Sequence, residues 1–316
     1  MKIFAKFFKC ILITFILVCV FFVLAEIISF SVKIKDLAKE GCFKDKSRQE
    51  TIKSISNYYT EMYKKLNDLP FEINEIRKPI IKNNNPSIIL LGCSYTYGYK
   101  LKDNESFDAI LSEYTNKTVY NLGINSSSPR ESLYILQHKD ILEKLIKDKN
   151  NVEYVIYTYI PDHVFRLYYN LNEFSPIYKI KNNSELIYKK NNLYNATFFS
   201  REVQRLKYRF STKEQKNNLF ALYITEINKE IKNNFKFKDK NTKFVIFVFI
   251  DKSLSDWEKI AKIDDNIIIV HIKDIFNGDI SDYKYTISKD DPHPNTEAWK
   301  VIVPKLMKHL DEINNK

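Results

Sequence analysis

Ile88-Ile89-Leu90-Leu91 is an uninterrupted apolar run that stops at Gly92, and a serine follows two residues later, at Ser94. A short apolar run closed by a glycine fits a strand buried on both faces, which is the pattern of a parallel sheet covered by helices. A hydroxyl placed directly after such a strand stands at the carboxyl edge of the sheet, where open α/β sheets bind their ligands. The tight turn that follows the strand leaves the side chain exposed there. This stretch therefore restricts the chain to an α/β architecture and marks one edge of it.

The sequence from residue 86 onward keeps to that architecture. Further apolar strands read at 118–122, 152–159, 243–250 and 266–272, most of them separated by helical segments, and this alternation argues for a parallel sheet with both faces covered. The clearest helix start is Ser128-Pro129-Arg130-Glu131, a capping box with proline at the first helical position, followed by Leu133, Leu136, Ile141 and Leu145 as an inward face. An insertion at about 167–218 separates the third and fourth strands. Within it, 177–190 alternates apolar and polar residues around Asn182-Asn183 and predicts a hairpin. Insertions after a strand's carboxyl end overhang the active edge, so this one is placed to shape a cleft.

Upstream, Cys10 to Ala25 carries no charge, and a second apolar piece, 27–32, follows Glu26. Counted across Glu26, the stretch reaches the roughly 20 residues that a bilayer-spanning helix needs. A cleaved signal peptide ending at Val23-Leu24-Ala25 is the competing reading, and the continuation of the apolar run favours an uncleaved anchor. Lysines flank both ends, so their placement does not fix the orientation. The expectation is a single-pass anchor over 1–32, a polar helical stalk or lead-in over 33–85, and a catalytic domain over 86–316 on the extracytoplasmic side.

The chain has only five glycines, and three of them, Gly92, Gly98 and Gly123, cluster around Ser94. Glycine is needed where backbone must approach closely or turn sharply, so the clustering marks a built site. The net charge of +11 comes from lysines scattered along the chain with no stripe and no nucleic-acid-binding module, which reads as a solvated surface and excludes a nucleic-acid partner. Cys10 and Cys19 lie in the apolar N-terminal segment, leaving Cys42 and Cys93. Two remaining thiols form no disulfide framework, and Cys93 reads as a buried packing thiol. His138, His271 and His309 have no ligand-like partners in sequence, so no metal and no cofactor is expected.

Three blocks at strand ends carry the chemistry: Gly92-Cys93-Ser94-Tyr95-Thr96-Tyr97-Gly98, then Asn121-Leu122-Gly123, then Asp290-Asp291-Pro292-His293-Pro294-Asn295. The spacing after Ser94 differs from the Gly-x-Ser-x-Gly elbow of α/β-hydrolases. The first block resembles instead Gly-Asp-Ser-x-Thr-x-Gly of the SGNH (GDSL-type) hydrolases, with Cys93 in place of the usual aspartate, and the likeness spans about 86–313. It implies a three-layer α/β/α sandwich with a flavodoxin-like, mostly parallel five-stranded sheet. It also implies a serine esterase, or a related acyltransferase, acting on an acylated carbohydrate or lipid.

A serine hydroxyl needs a base, and the base needs an orienting carboxylate. The expected catalytic residues are Ser94, His293 and Asp290, whose spacing of three folds its carboxylate back onto the histidine, with the backbone N–H groups of Ser94 and Gly123 as oxyanion donors. The family's third block, Gly-x-Asn-Asp, is not matched: Pro161 stands where its asparagine would supply a further donor. Asp162, His163 and Arg166 follow the same strand as candidates for that role or for substrate binding, with an Asp162–Arg166 salt bridge as the alternative.

Overall fold

The computed structural model describes residues 76–82, 85–169, 175–181, 185–189, 198–250 and 264–314, with Val20, Leu24, Trp257 and Glu258 besides. In chain order the elements are β1 (Ser87–Leu91), α1 (Ser94–Tyr97), α2 (Phe107–Thr115), β2 (Thr118–Asn121), α3 (Pro129–Gln137), α4 (Lys139–Leu145), β3 (Val152–Tyr159) and α5 (Asp162–Tyr168). The insertion contributes β4 (Ile177–Lys181), β5 (Glu185–Lys189) and α6 (Phe198–Phe210). Then come α7 (Lys213–Asn234), a small hairpin of β6 (Lys236–Phe237) and β7 (Lys240–Asn241), β8 (Lys243–Val248), β9 (Ile267–His271), α8 (Ile272–Ile275), a second small hairpin of β10 (Thr286–Ser288) and β11 (Asp291–Pro294), and α9 (Thr296–Asn314).

The central sheet has five strands in the order β2-β1-β3-β8-β9, and every pairing in it is parallel. This is the flavodoxin-like order, in which the chain reverses direction across the sheet between β1 and β3. Side chains alternate along each strand, so Ile88 and Leu90 point to one face while Ile89 and Leu91 point to the other. One face buries α2 and α9 through Phe107, Leu111, Trp299, Ile302 and Leu306. The opposite face buries α3, α4 and α7 through Leu133, Leu136, Ile141, Phe220, Ile224 and Ile227. The three-layer sandwich expected from the strand–helix alternation is thus the observed one.

Local signals placed the elements. The capping box forms: the Ser128 side chain accepts from the α3 backbone, and the Ser128 N–H donates to Glu131 Oε2 at 2.8 Å. The predicted hairpin forms as well, with β4 and β5 antiparallel, and its Asn182-Asn183 turn lies outside the described residues. The last helix runs on past Pro304 rather than ending there. Three strands end a residue or two earlier than their apolar runs suggest: β2 stops at Asn121, β8 at Val248 and β9 at His271.

Two expectations on the N-terminal side fare differently. The anchor, 1–32, lies outside the described residues apart from Val20 and Leu24, and among the described residues no helix is long and apolar enough to cross a bilayer. Of the stalk or lead-in, 76–82 and Asn85 are described, and the rest of 33–85 lies outside the described residues. Ile80 and Val119 exchange two backbone hydrogen bonds of 3.0 Å, which lays the described segment antiparallel along the outer side of β2.

Trp299 is fully buried and stacks on Phe107 with ring centroids 4.2 Å apart, coupling α9 to α2. Trp299→Ala should cost about 3–5 kcal/mol, the range for deleting a large aromatic from a packed core. Chemical denaturation checks this, with a lower midpoint and an unchanged slope as the expected result.

Candidate functional site

Ser94 is held by a turn that only glycine can make. Gly92 has φ +143°, and a Cβ there would meet Thr96 Oγ1 at 2.3 Å. Thr96 uses that space to donate from its hydroxyl to the Leu91 carbonyl at 3.2 Å, tying the start of α1 back to the end of β1. Cys93 caps α1 with extended backbone and is fully buried, as a packing thiol would be. Gly98 closes the helix in the left-handed region at φ +79° with its N–H on the Ser94 carbonyl. Ser94 is left 8% exposed at the carboxyl edge of β1.

The opposing group arrives on β11. In the β10–β11 hairpin Lys289 and Asp290 form the turn and His293 lies on the second strand. His293 Nε2 stands 2.8 Å from Ser94 Oγ, across 199 positions of sequence, and its Nδ1 stands 2.6 Å from Asp291 Oδ1. A carboxylate only accepts, so the ring proton sits on Nδ1 and Nε2 is free to accept from the serine hydroxyl. Asn295 joins β11 to both its neighbours: its Oδ1 accepts from the Ala298 N–H at 3.0 Å, capping α9, while its Nδ2 donates to the carbonyls of Lys284 and Thr286.

The orienting carboxylate is therefore Asp291, not Asp290. In a loop, a spacing of three would bring the side chains of Asp290 and His293 together. The segment is a strand, and in a strand residues two apart share a face, so Asp291 lies beside His293. Asp290 points to solvent from the turn.

Asp291 has a second partner, Lys100, which no spacing in the chain announces. Lys100 Nζ donates to its Oδ2 at 2.8 Å. Partial burial pushes the Asp291 carboxyl up, but the hydrogen bonds from Lys100 and His293 outweigh it and hold it at about 2. The His293 ring is flanked by Tyr95 and Tyr99, at centroid distances of 4.8 and 5.0 Å. Burial raises the Tyr95 hydroxyl to about 12, so that ring stays a neutral wall against the imidazole.

The oxyanion side departs from expectation. The Gly123 N–H donates to Asn121 Oδ1 at 3.0 Å, so in this arrangement it is not a free donor. Glycine is needed there for another reason: a Cβ would meet the Tyr97 backbone nitrogen at 2.6 Å. Asn121 itself is buried and its Nδ2 donates to the Thr96 carbonyl and to Asp108, linking the second block to the first. The Ser94 N–H lies in the first turn of α1, ahead of the helix's own hydrogen bonds.

His163 is fully buried, with Nδ1 2.7 Å from the Tyr157 hydroxyl, so it faces the interior and does not line the rim. Burial, aided by the Arg166 charge, pushes this histidine well below its usual value and keeps it neutral. Arg166 donates from Nη1 to the Ser127 carbonyl at 2.9 Å and lies 3.9 Å from the carboxylate of Asp162, which is exposed. Pro161 caps α5 with helical backbone and offers no side-chain donor.

No family model matches this chain, and no curated protein does. Several solved structures are similar to this chain over part of its length. A lipase from goat rumen metagenome, Lip_vut3, is 14% identical over 71% of this chain and 97% of its own, with a TM-score of 0.46. A member of the lipolytic G-D-S-L family from Veillonella parvula is 10% identical over 70% of this chain and 96% of its own, with a TM-score of 0.41. A carbohydrate esterase is 13% identical over 74% of this chain and 68% of its own, with a TM-score of 0.43. The chemistry of the site is set by this chain's own side chains: a serine, a histidine and an aspartate in line at the carboxyl edge of a flavodoxin-like sheet.

Asp291→Asn keeps the shape but removes the charge that holds the proton on Nδ1, and turnover should fall by about a hundredfold or more, while Asp290→Asn should leave it unchanged. Assay of both variants with an activated ester checks this. Because the folded carboxyl sits below its unfolded value, Asp291 stabilises the fold above about pH 4, and that contribution is lost as pH falls toward 2. Acid unfolding followed by circular dichroism should show the wild type losing this advantage over Asp291→Asn through that window.

Proposed function

We propose that this protein is a serine esterase of the SGNH type that acts on an ester of a carbohydrate or lipid of the cell envelope through an acyl-serine intermediate. The single observation that carries the reading is the continuous line Ser94 Oγ, His293 Nε2, His293 Nδ1, Asp291 Oδ1, with contacts of 2.8 and 2.6 Å. Ser94 attacks the ester carbonyl as His293 takes its proton. The tetrahedral intermediate collapses when His293 returns that proton to the departing alcohol oxygen. Water, activated by the same imidazole, then attacks the acyl-serine and releases the acid. Asp291 stays ionised throughout, since its carboxyl is held at about 2, and it balances the imidazolium that forms.

Developing charge on the carbonyl oxygen is met by the Ser94 N–H, and such a donor is worth about 3–4 kcal/mol in sites of this kind. Transfer of the acyl group to a sugar hydroxyl would use the same residues, with the acceptor alcohol replacing water in the second half. The uncharged N-terminal stretch supports a single-pass anchor with the catalytic domain on the extracytoplasmic side. Partition of the full chain into the membrane pellet after alkaline carbonate washing tests that part, and release into the supernatant overturns it.

The engagement of the Gly123 N–H by Asn121 and the proline at 161 favour a second reading, an SGNH-like envelope-assembly or glycan-binding protein with weakened catalysis. A fluorophosphonate probe separates the two. The esterase reading expects labelling of the wild type that disappears in Ser94→Ala and falls steeply in His293→Ala. No labelling of the wild type, alongside measurable glycan binding, overturns it.

A further inference from the structure

Arg77 lies in the lead-in, outside the sequence blocks that carry the chemistry, yet its guanidinium is almost wholly buried against the turn that leaves α1. Its side chain is 7% exposed. Nε donates to the Tyr97 carbonyl at 2.5 Å, Nη2 donates to the carbonyls of Gly98 and Leu101 at 3.0 and 2.7 Å, and Nη1 pairs with Asp103 at 2.7 Å. The guanidinium also lies 4.9 Å from the centre of the Tyr97 ring. Every nitrogen of the fork thus holds the segment 97–103.

That turn carries both outer supports of the histidine: Tyr99 lies against the His293 ring at a tilt of 48°, and Lys100 donates to Asp291 Oδ2. Lys100 is held at φ +62°, a left-handed conformation that a non-glycine residue keeps only when its surroundings impose it. The Leu101 N–H closes the turn on the Gly98 carbonyl at 3.0 Å. Carbonyls leaving a short helix converge here and have few intrahelical partners, so a planar cation with several fixed donors suits them where a point charge does not.

On the esterase reading, we propose that Arg77 is a positioning residue: by gathering the carbonyls of Tyr97, Gly98 and Leu101 it sets the turn that places Tyr99 and Lys100 against His293 and Asp291. The lead-in is then part of the catalytic apparatus. Arg77 touches no reacting atom and acts only through that turn.

The test uses the full chain, with p-nitrophenyl acetate turnover and fluorophosphonate labelling rate as readouts. Arg77→Ala should lower kcat by about 10- to 100-fold with KM changed less than about twofold, the scale of a catalytic group displaced by a fraction of an ångström to one ångström. Added guanidinium should restore part of the loss, which a general weakening of the fold would not allow. Arg77→Lys keeps the charge but not the fork, and should show the same loss of kcat, so it serves where the alanine variant does not fold. Lys100→Ala combined with Arg77→Lys should lose little more than the worse single variant, because both act along one route.

Native kcat in Arg77→Lys, or additive losses in the double variant, overturns the proposal. A wild type that takes up no probe sinks the esterase reading instead, so the two failures are told apart.

Discussion

The contact between Ser94 and His293 is the interaction on which the rest of the site depends, and it has to be made by two elements with no local reason to meet. One is the turn at the end of β1, the other a small hairpin ahead of the last helix. Each is rigid by its own means. Gly92, Thr96 and Gly98 lock the first, and the Asn295 side chain ties the second to α9 and β10 at once. What brings them together is the sheet: α9 packs on the face that β1 presents through Ile88 and Leu90, so core burial sets the reach of the histidine. A contact of 2.8 Å then needs no further adjustment by the hairpin that carries it.

The electrostatics around this line are graded outward. Asp291 lies between an imidazole and an ammonium, and both hold its charge in place. The Lys100 side chain is half exposed, which makes its ion pair a modest contributor to stability taken alone. Its value is directional, since it leaves Oδ1 as the oxygen available to the histidine. Beneath the rim, the neutral His163 with Tyr157 and the buried Asn121–Asp108 pair fill polar space around the nucleophile's turn. Desolvation pushes Asp108 up as well, in keeping with a buried carboxyl whose main partner is an amide.

Much of the fold was legible because its signals are local and periodic. The apolar run at 88–91, the capping box at Ser128 and the alternation in 177–190 each specify an element within a few residues, and each element formed. The pairing of Ser94 with His293 was legible for the same reason, as each sits by a strand end marked by glycine or proline. The orienting carboxylate was not, because choosing between adjacent aspartates needs the backbone conformation: a loop would favour Asp290, whereas a strand selects Asp291. Arg77, Lys100 and Tyr99 left no signal at all, since their importance comes from where the turn after α1 points. Gly123 shows a further limit. The sequence marks the need for glycine correctly, but the neighbour that imposes the need is the Tyr97 backbone, which no spacing reveals.

The antiparallel contact of the lead-in with β2 has a consequence for the molecule as a whole. β2 is the outermost strand on its side of the sheet, and an outermost strand offers unpaired N–H and C=O groups to any other chain that passes. The Ile80 pairing occupies that row in part, so the segment that steadies the turn after Ser94 also guards against edge-to-edge association. A chain cut at the sequence boundary near Pro86 would lose both functions in one step, and its failure would look like aggregation before it looked like lost catalysis.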